Sequence, residues 1–388
     1  MYLLKGNVTN MNSKKIVILM LHLQFGGIEK QTITFANELA RKYDVEIISA
    51  YSMNSKPAYE ISPNIKIKYL INDAPNRNEF KAAYKSKNIL KIFKEGLKSV
   101  KILYLKNYLM IKEIKKLKCD YAFSTRIEYA NMLSKYAPKG VVTITEEHLH
   151  DDSPKYIQRI KKSFKNIDYL ITIGKGSTEN YSKWLKDNKK IKIVEIPNIL
   201  ENIPNESTTL NGCNLVSVGR LHPVKDFETL IKVFNEVQKT INNASLTIVG
   251  GGDEENNLRN LIKELNLEEK VTITGMVNKE AVKKYMLDAS LYVMTSLTEC
   301  FPMVLLEASS VGLPLISFDV PVGPRAIILE GKNGFLIQDR DIRVMADKII
   351  ELLENKAELV ELGKNAKELS YQYLPEKVME KWYRIFDK

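Results

Sequence analysis

The stretch Ser296-Leu297-Thr298-Glu299-Cys300-Phe301-Pro302-Met303-Val304-Leu305-Leu306-Glu307-Ala308 sets two carboxylates eight positions apart around an apolar run. Pro302 suits the first position of a helix, where its missing N–H would be unpaired anyway, and Gly312 with Pro314 closes the segment. Glu299 is therefore expected in the loop before a short helix, and Glu307 about five residues inside it. At ~1.5 Å rise per residue the second carboxylate lies roughly 7–8 Å further along the axis. That separation is awkward for two groups sharing one bond and suits gripping two parts of an extended ligand. Taken alone, the stretch reads equally as a helix start followed by a surface Glu.

Around it the chain alternates short β-prone runs with helical patterns. In the first half the apolar run Lys15–Leu21 precedes a Gly26-Gly27 turn and a helix from about Glu29 to Lys42. Strands are expected at Asp44–Ala50, Ile65–Leu70, Tyr121–Ser124, Val141–Thr145, Tyr169–Ile173 and Ile191–Ile196. The second half repeats the alternation, with strands at Asn214–Val218, Ser245–Val249, Val271–Thr274, Leu291–Met294 and Leu313–Phe318. Its first helix, Asp226–Thr240, carries apolar Phe227, Leu230, Ile231 and Phe234, and a last amphipathic helix runs from Pro375 to Phe386. Strands alternating with helices predict parallel sheets covered on both faces, an α/β fold. The polar segment Asn202–Gly212, after Ile196-Pro197-Asn198, reads as an inter-domain linker.

A chain of 388 residues is too long for one core and suits two domains. The longest apolar run, Ile16–Leu21, is far short of a membrane span, and no signal segment is visible, so a cytoplasmic location is expected. Met11 is an alternative start that would make residues 1–10 a dispensable tail. Cys119, Cys213 and Cys300 are too widely spaced for a disulfide framework or a metal knuckle, and Cys300 reads as a small filler. The net charge of +11 is concentrated: Lys81–Lys118 holds twelve Lys and two Glu, a net of +10, leaving +1 for the rest. Apolar residues interleave these lysines, a pattern for basic amphipathic helices on an anionic membrane surface, or for an ordinary solvated helix face. Nucleic acid is not expected, because Arg is scarce there and no nucleic-acid motif appears.

Four segments carry the chemistry. Arg220 and Lys225, in Gly219-Arg220-Leu221-His222-Pro223-Val224-Lys225-Asp226, follow a strand end, where open parallel sheets place their ligands. Arg offers a fork for phosphate oxygens and Lys a point charge. The turns at Gly26-Gly27 and Gly250-Gly251-Gly252 allow close backbone approach, although any tight turn could use them. The fourth segment is the opening stretch itself.

Together, and in this order, these segments resemble the E-x7-E pattern of retaining glycosyltransferases of family 4, which have the GT-B fold: two Rossmann-like domains facing across a cleft. The resemblance runs from about Lys15 to about Phe386 and is strongest from Leu215 to Leu336. It implies an acceptor-binding domain over residues 1–197, a nucleotide-sugar domain over 198–370, and a helix at 371–388 crossing back onto the first. By resemblance Arg220 and Lys225 bind the donor diphosphate in place of a metal, and Glu299 holds the donor sugar's hydroxyls. Glu307 holds the ribose hydroxyls, and the amides of Met303 and Val304 face the phosphates. Gly251, Met276 and Val277 flank the nucleobase, while Gly26 and Gly27 meet the diphosphate and acceptor. His148 aligns with a family His near the sugar's 6-position, with His150 as its competitor; either could be structural, and His22 and His222 read as structural. Asp319-Val320-Pro321-Val322-Gly323-Pro324-Arg325 stands where many members have a Gly-Gly turn followed by Glu, a variant resembling builders of capsule, lipopolysaccharide or wall polymers.

The implied activity is metal-independent, retaining transfer of a hexose or N-acetylhexosamine from a UDP-sugar to a lipid-linked or polymeric glycan at the cytoplasmic membrane face. No cofactor is expected, and no Asp-x-Asp dyad stands where a metal-dependent transferase would need it. A non-catalytic partner of another glycosyltransferase is the alternative; joint retention of Arg220, Lys225, Glu299 and Glu307 speaks against it. An NAD-dependent oxidoreductase is excluded, because no Gly-x-Gly-x-x-Gly follows the first strand.

Overall fold

The computed structural model describes residues 14–148 and 151–387. Residues 1–13, with the alternative start at Met11, and His150 lie outside them. The described chain forms two compact units. The first comprises the described residues up to Thr172, Ser182–Val194 and those from Trp382 on; the second comprises Ile173–Tyr181 and Glu195–Lys381.

The first sheet contains β1 (Lys15–Met20), β2 (Asp44–Tyr51), β3 (Lys66–Ile71), β4 (Tyr121–Ser124), β5 (Val142–Glu147), β6 (Tyr169–Thr172) and β7 (Lys192–Glu195). Their order is β3-β2-β1-β4-β5-β6-β7. β1 pairs in parallel with β2 (Lys15↔Asp44) and with β4 (Ile16↔Tyr121). Ile16–Met20 are all buried, which is why this strand reads as a continuous apolar run rather than an alternating one. The helices are α1 (Gly27–Leu39), α2 (Arg77–Lys85), α3 (Ile89–Ile114), α4 (Ile127–Tyr136), α5 (Pro154–Ser163) and α6 (Lys175–Trp184). Most of the basic stretch is thus one 26-residue helix, α3, started by the Asn88 side chain accepting from Lys91 N.

The second sheet repeats the winding. It contains β8 (Asn214–Val218), β9 (Ser245–Val249), β10 (Val271–Ile273), β11 (Leu291–Met294), β12 (Leu315–Phe318) and β13 (Gly334–Ile337), in the order β10-β9-β8-β11-β12-β13. Its helices are α7 (Phe227–Gln238), α8 (Glu255–Glu264), α9 (Lys279–Leu287), α10 (Met303–Ser310), α11 (Ile342–Glu354), α12 (Lys356–Ser370) and α13 (Pro375–Phe386). α7 buries Phe227, Leu230, Ile231 and Phe234, the stripe expected from sequence, and adds Val233 and Val237. α10 begins one residue later than its sequence suggests: Pro302 is the residue before the helix, with ψ 91°, and Met303 is the first inside it. The last residues of α13 pack within the first unit, where Trp382 lies 4.3 Å from Phe35 and 5.6 Å from Phe386, ring to ring.

In both sheets the strand order reverses beside the first-wound strand, between β1 and β4 and between β8 and β11. Parallel sheets open a crevice at the carboxyl ends of such strands.

Candidate active site

In the second unit the chain leaves β8 at Gly219 and turns through a short 3-10 segment, Pro223–Lys225, into α7. The His222 ring nitrogen accepts from Val224 N at 3.3 Å, which gives His222 the structural part expected of it. Asp226 adopts a left-handed conformation (φ 48°) and caps α7 by accepting from Thr229 N. This turn delivers Lys225 toward the end of β11, where its Nζ pairs with Glu299 Oε1. The pair borders a small cavity also lined by Thr295, Ser296 and Val304. Arg220, also on the turn, is exposed, and its guanidinium has no partner among the described residues.

Glu299 occupies irregular backbone between β11 and α10, fixed by contacts distant in sequence. A parallel bridge pairs it with Val322. Val322 stands at φ 74°, unfavourable for a β-branched residue, and Gly323 N donates to Pro321 O at 3.0 Å, closing a γ-turn around it. A Cβ on Gly323 would lie 2.6 Å from Glu299 Cβ and from its carbonyl oxygen, so only glycine fits against this backbone. Arg325 ties the loop's ends together through two bonds to the Asp319 carboxylate, at 2.5 and 2.7 Å. Arg340 secures the other side: it pairs with Asp226, donates to Thr295 O at 2.9 Å and Ser296 O at 3.0 Å, and lies over the Phe318 ring.

α10 carries the rest of the opening motif. No side chain caps its N-terminus and no acidic residue occupies its first turn. Its first amides, at Met303 and Val304, are of the class that no intrahelical carbonyl can satisfy, and they suit an anion. Glu307 is the fifth residue of the helix and half-buried. Burial drives the Tyr292 phenol far above its ordinary value, and the nearby charges of Glu299 and Glu307 add to the rise. Gly251 O accepts from Leu221 N at 3.0 Å, and a Cβ on Gly251 would meet Met276 at 3.0 Å. Met276 is 81% exposed, while Val277 packs on the core. Cys300 is likewise partly buried against that core.

Gly26, Gly27 and His148 belong to the first unit. Gly26 precedes α1 with extended backbone, and a Cβ there would lie 2.0 Å from Glu29 Oε2. The Glu29 carboxylate thus folds back over the turn. It is buried, accepts from Arg126 Nη2 at 3.0 Å, and lies 3.9 Å from His22 Nδ1. Burial holds the His22 imidazole below its ordinary value. At the end of β5, His148 Nε2 stands 3.2 Å from Glu146 Oε2. Burial pulls the His148 imidazole down, but its charge and hydrogen-bond interactions with Glu146 prevail and its pKa is raised. Burial pushes the neighbouring Glu147 carboxyl up to about 7. The sequence reading missed Glu29, Arg126, Glu146, Glu147 and Arg340 as members of these clusters. Their one visible signal is position: Glu29, Arg126 and Arg340 follow strand ends, and Glu146 and Glu147 are the last two residues of β5.

Residues 202–369 match the family model described as glycosyl transferases group 1. The matched segment contains β8 through α12 except the last residue of that helix, and with it Arg220, Lys225, Glu299 and Glu307. Over the whole chain, an uncharacterized glycosyltransferase of Haemophilus influenzae is 28% identical, covering 96% of this chain and 99% of its own. An N-acetylgalactosamine-N,N'-diacetylbacillosaminyl-diphospho-undecaprenol 4-alpha-N-acetylgalactosaminyltransferase of Campylobacter jejuni is 26% identical, covering 88% and 91%. An exopolysaccharide phosphotransferase of Streptomyces coelicolor is 26% identical over 94% of this chain, which spans only 39% of that relative's length. Among solved structures, a point mutant of Staphylococcus aureus TarM, crystallised with fondaparinux, alpha-GlcNAc-glycerol and UDP, superposes with a TM-score of 0.73. That match covers 97% of this chain and 100% of the other at 18% identity. The two Rossmann-like α/β units are thus of the GT-B fold class, as the sequence predicts.

Proposed function

We propose that the protein is a retaining glycosyltransferase of family 4 that moves a hexose or N-acetylhexosamine from a UDP-sugar to a lipid-linked or polymeric glycan in cell-surface polysaccharide synthesis. The observation that carries this reading is the Lys225–Glu299 pair beside the uncapped start of α10, both at the crevice between β8 and β11. A nucleotide diphosphate fits these elements. Its phosphates take the amides of Met303 and Val304 and the cations of Arg220 and Lys225, and its ribose hydroxyls take Glu307. The sugar's hydroxyls take Glu299, with Lys225 then shared between carboxylate and phosphate. Gly251, Met276 and Val277 flank the base.

As the glycosidic bond breaks, negative charge grows on the departing diphosphate, and fixed cations and helix amides stabilise it without a metal. The acceptor oxygen bonds to the anomeric carbon on the face that the leaving group vacates. The leaving phosphate oxygen takes the acceptor's proton, so configuration is retained without a covalent enzyme intermediate. In the first unit, Glu29 over the Gly26-Gly27 turn suits a hydroxyl more than a phosphate, so the turn is assigned to the acceptor, with His148 near the sugar. The lipid-linked acceptor named for the Campylobacter relative supports an acceptor at the inner membrane face, met by a protein held on anionic lipid through Lys81–Lys118.

The test is incubation with a panel of nucleotide sugars in the presence of a chelator, following thermal stabilisation and slow nucleotide release. One UDP-sugar is expected to stabilise the protein and be hydrolysed slowly, and Glu299→Ala and Lys225→Ala are expected to abolish hydrolysis. Wild-type hydrolysis in both variants would remove the site assignment. Donor binding without turnover, whatever the acceptor, would move the protein to the non-catalytic class.

A further inference from the structure

α3 carries an apolar face that the described residues leave uncovered. Its C-terminal part is anchored, with Lys106, Met110 and Ile114 buried and Glu113 paired with Lys68. Its N-terminal part is braced by α2. Asn76, buried before α2, donates to Glu95 O and Oε2 at 3.0 and 2.9 Å and accepts from Ser99 Oγ at 2.9 Å. Phe80 packs at Gly96. Away from that brace, Leu90, Phe93, Leu97, Val100, Tyr104 and Tyr108 stand exposed, Leu90 at 82% and Phe93 at 66%. Their spacing of three or four residues puts them on one stripe, ~27 Å long at the helical rise. An exposed apolar patch of this length marks an interaction surface, because a soluble helix turns such a stripe inward.

Charge identifies the occupant. Lys91, Lys94, Lys98 and Lys101, all exposed, repeat at the same spacing and form a second stripe beside the apolar one. The acids of this helix offer nothing in return, since Glu95 is held by Asn76 and Glu113 by Lys68. A second copy laid on the stripe would bring lysines against lysines. A membrane surface rich in anionic lipid instead takes apolar side chains below the headgroups and lysines at the phosphates. Tyr104 and Tyr108, stacked 6.2 Å apart, have the amphipathic rings that favour this boundary. No helix among the described residues is long and apolar enough to cross a membrane.

We propose that α3 lies in the plane of an anionic bilayer surface, with the Leu90–Tyr108 stripe inserted among the lipids and the Lys91–Lys101 stripe on their phosphates. This deepens the peripheral placement proposed above by naming the face and its depth, and its test needs neither donor nor turnover. The full-length protein is sedimented with vesicles of phosphatidylcholine, with and without phosphatidylglycerol. Binding is expected only with phosphatidylglycerol and is weakened by salt. Phe93→Glu/Leu97→Glu is expected to bind ~100-fold more weakly, from roughly tenfold or more per apolar side chain kept out of the lipid. That double variant is expected to keep wild-type hydrolysis of soluble donor. Leu97→Trp is expected to shift its emission to the blue on adding the anionic vesicles. Vesicle binding that the Phe93→Glu/Leu97→Glu variant leaves intact would overturn insertion and leave only surface electrostatics. A lipid-free dimer that this variant dissociates would instead make the stripe a self-interface. Loss of hydrolysis in Glu299→Ala beside absent vesicle binding would keep the transferase reading and remove the membrane one.

Discussion

The two units wind their sheets in one order but set opposite charges at the same place. In the second, the cation follows the central strand and the carboxylate follows its later neighbour: Lys225 after β8, Glu299 after β11. In the first, the carboxylate follows the central strand and the cation follows the neighbour: Glu29 on α1 after β1, Arg126 after β4. The helices after the neighbour strands differ in the same sense. α10, after β11, has no acid in its first turn, whereas α4, after β4, has Glu128 there. A doubly wound topology therefore fixes where a ligand meets the sheet and leaves its charge to a few side chains. One unit sets helix amides and a cation at that place; in the other a carboxylate already offsets the helix dipole.

The largest expected effect comes from reversing the polarity of the second unit's pair. Lys225→Glu with Glu299→Lys keeps an ion pair at the site but exchanges its ends. If the pair serves the donor, donor hydrolysis stays ~10³-fold down, as low as in either single substitution, because electrostatic groups act only where charge develops. The melting temperature is expected to change little. Recovery of hydrolysis in the swapped protein would show that the pair is structural.

That counterpart is where stability is expected to suffer. The Glu29 side chain is 8% exposed and that of Arg126 30%, so the carboxylate depends on its partner more than the guanidinium does. Arg126→Ala strands a buried charge and is expected to destabilise by about 3 kcal/mol. Glu29→Gln leaves an arginine that reaches water and is expected to cost about 1 kcal/mol. Urea denaturation of the two variants reads this order. The reverse order would mean that Glu29 finds water or another donor when Arg126 is gone.

Much of this was legible in the sequence and some could not be. The central strands were, because both sheets are parallel and buried there, so these strands are uninterrupted apolar runs such as Ile16–Met20 and Leu291-Tyr292-Val293-Met294. The loop-then-helix placement of Glu299 and Glu307 was also legible, since Pro302 and Gly312 punctuate the segment. The strand β13 was missed, being four residues after a turn, with only Phe335-Leu336-Ile337 to announce it. The side-chain partners were illegible in principle. Arg340 meets Asp226 across 114 positions, and Val322 bridges Glu299, with no periodicity to relate them. α3 was ambiguous for a different reason: apolar residues lie on two of its faces, and only the structure shows which one the sheet takes.

Glycines test the comparison at finer grain. A Cβ at Gly26 would come within 2.0 Å of Glu29 Oε2, and one at Gly323 within 2.6 Å of the Glu299 backbone. The shorter distance is the milder one, because a carboxylate end can swing away while a backbone held by the bridge to Val322 cannot. Gly323→Ala is therefore expected to destabilise by about 2 kcal/mol and slow hydrolysis about tenfold, with Gly26→Ala below about 1 kcal/mol. Equal losses would mean that the Val322 turn gives way as easily as a side chain.

A pH-dependent effect concerns Glu147, which has no counterpart at the second unit's site. Its carboxyl is raised from 4.5 to about 7 by burial, so the folded state resists its ionisation. Below pH ~4.5 the group is protonated folded or unfolded and costs nothing. Between the two values the unfolded chain ionises first and folding becomes less favourable; above pH ~7 the penalty is constant. Structural relaxation brings the shift's ceiling of about 3 kcal/mol down to on the order of 1–2 kcal/mol. Glu147→Gln cannot ionise, so its melting temperature is expected to match wild type near pH 4.5 and exceed it near pH 8. His148 pulls the other way: its imidazole is raised by Glu146 first and by Glu147 as well, and any stability it supplies when charged fades as pH rises through its folded value. A variant less stable than wild type near pH 8 would show that the charged Glu147–His148 contact outweighs burial, making this buried cluster a second cation–carboxylate pair in the first unit.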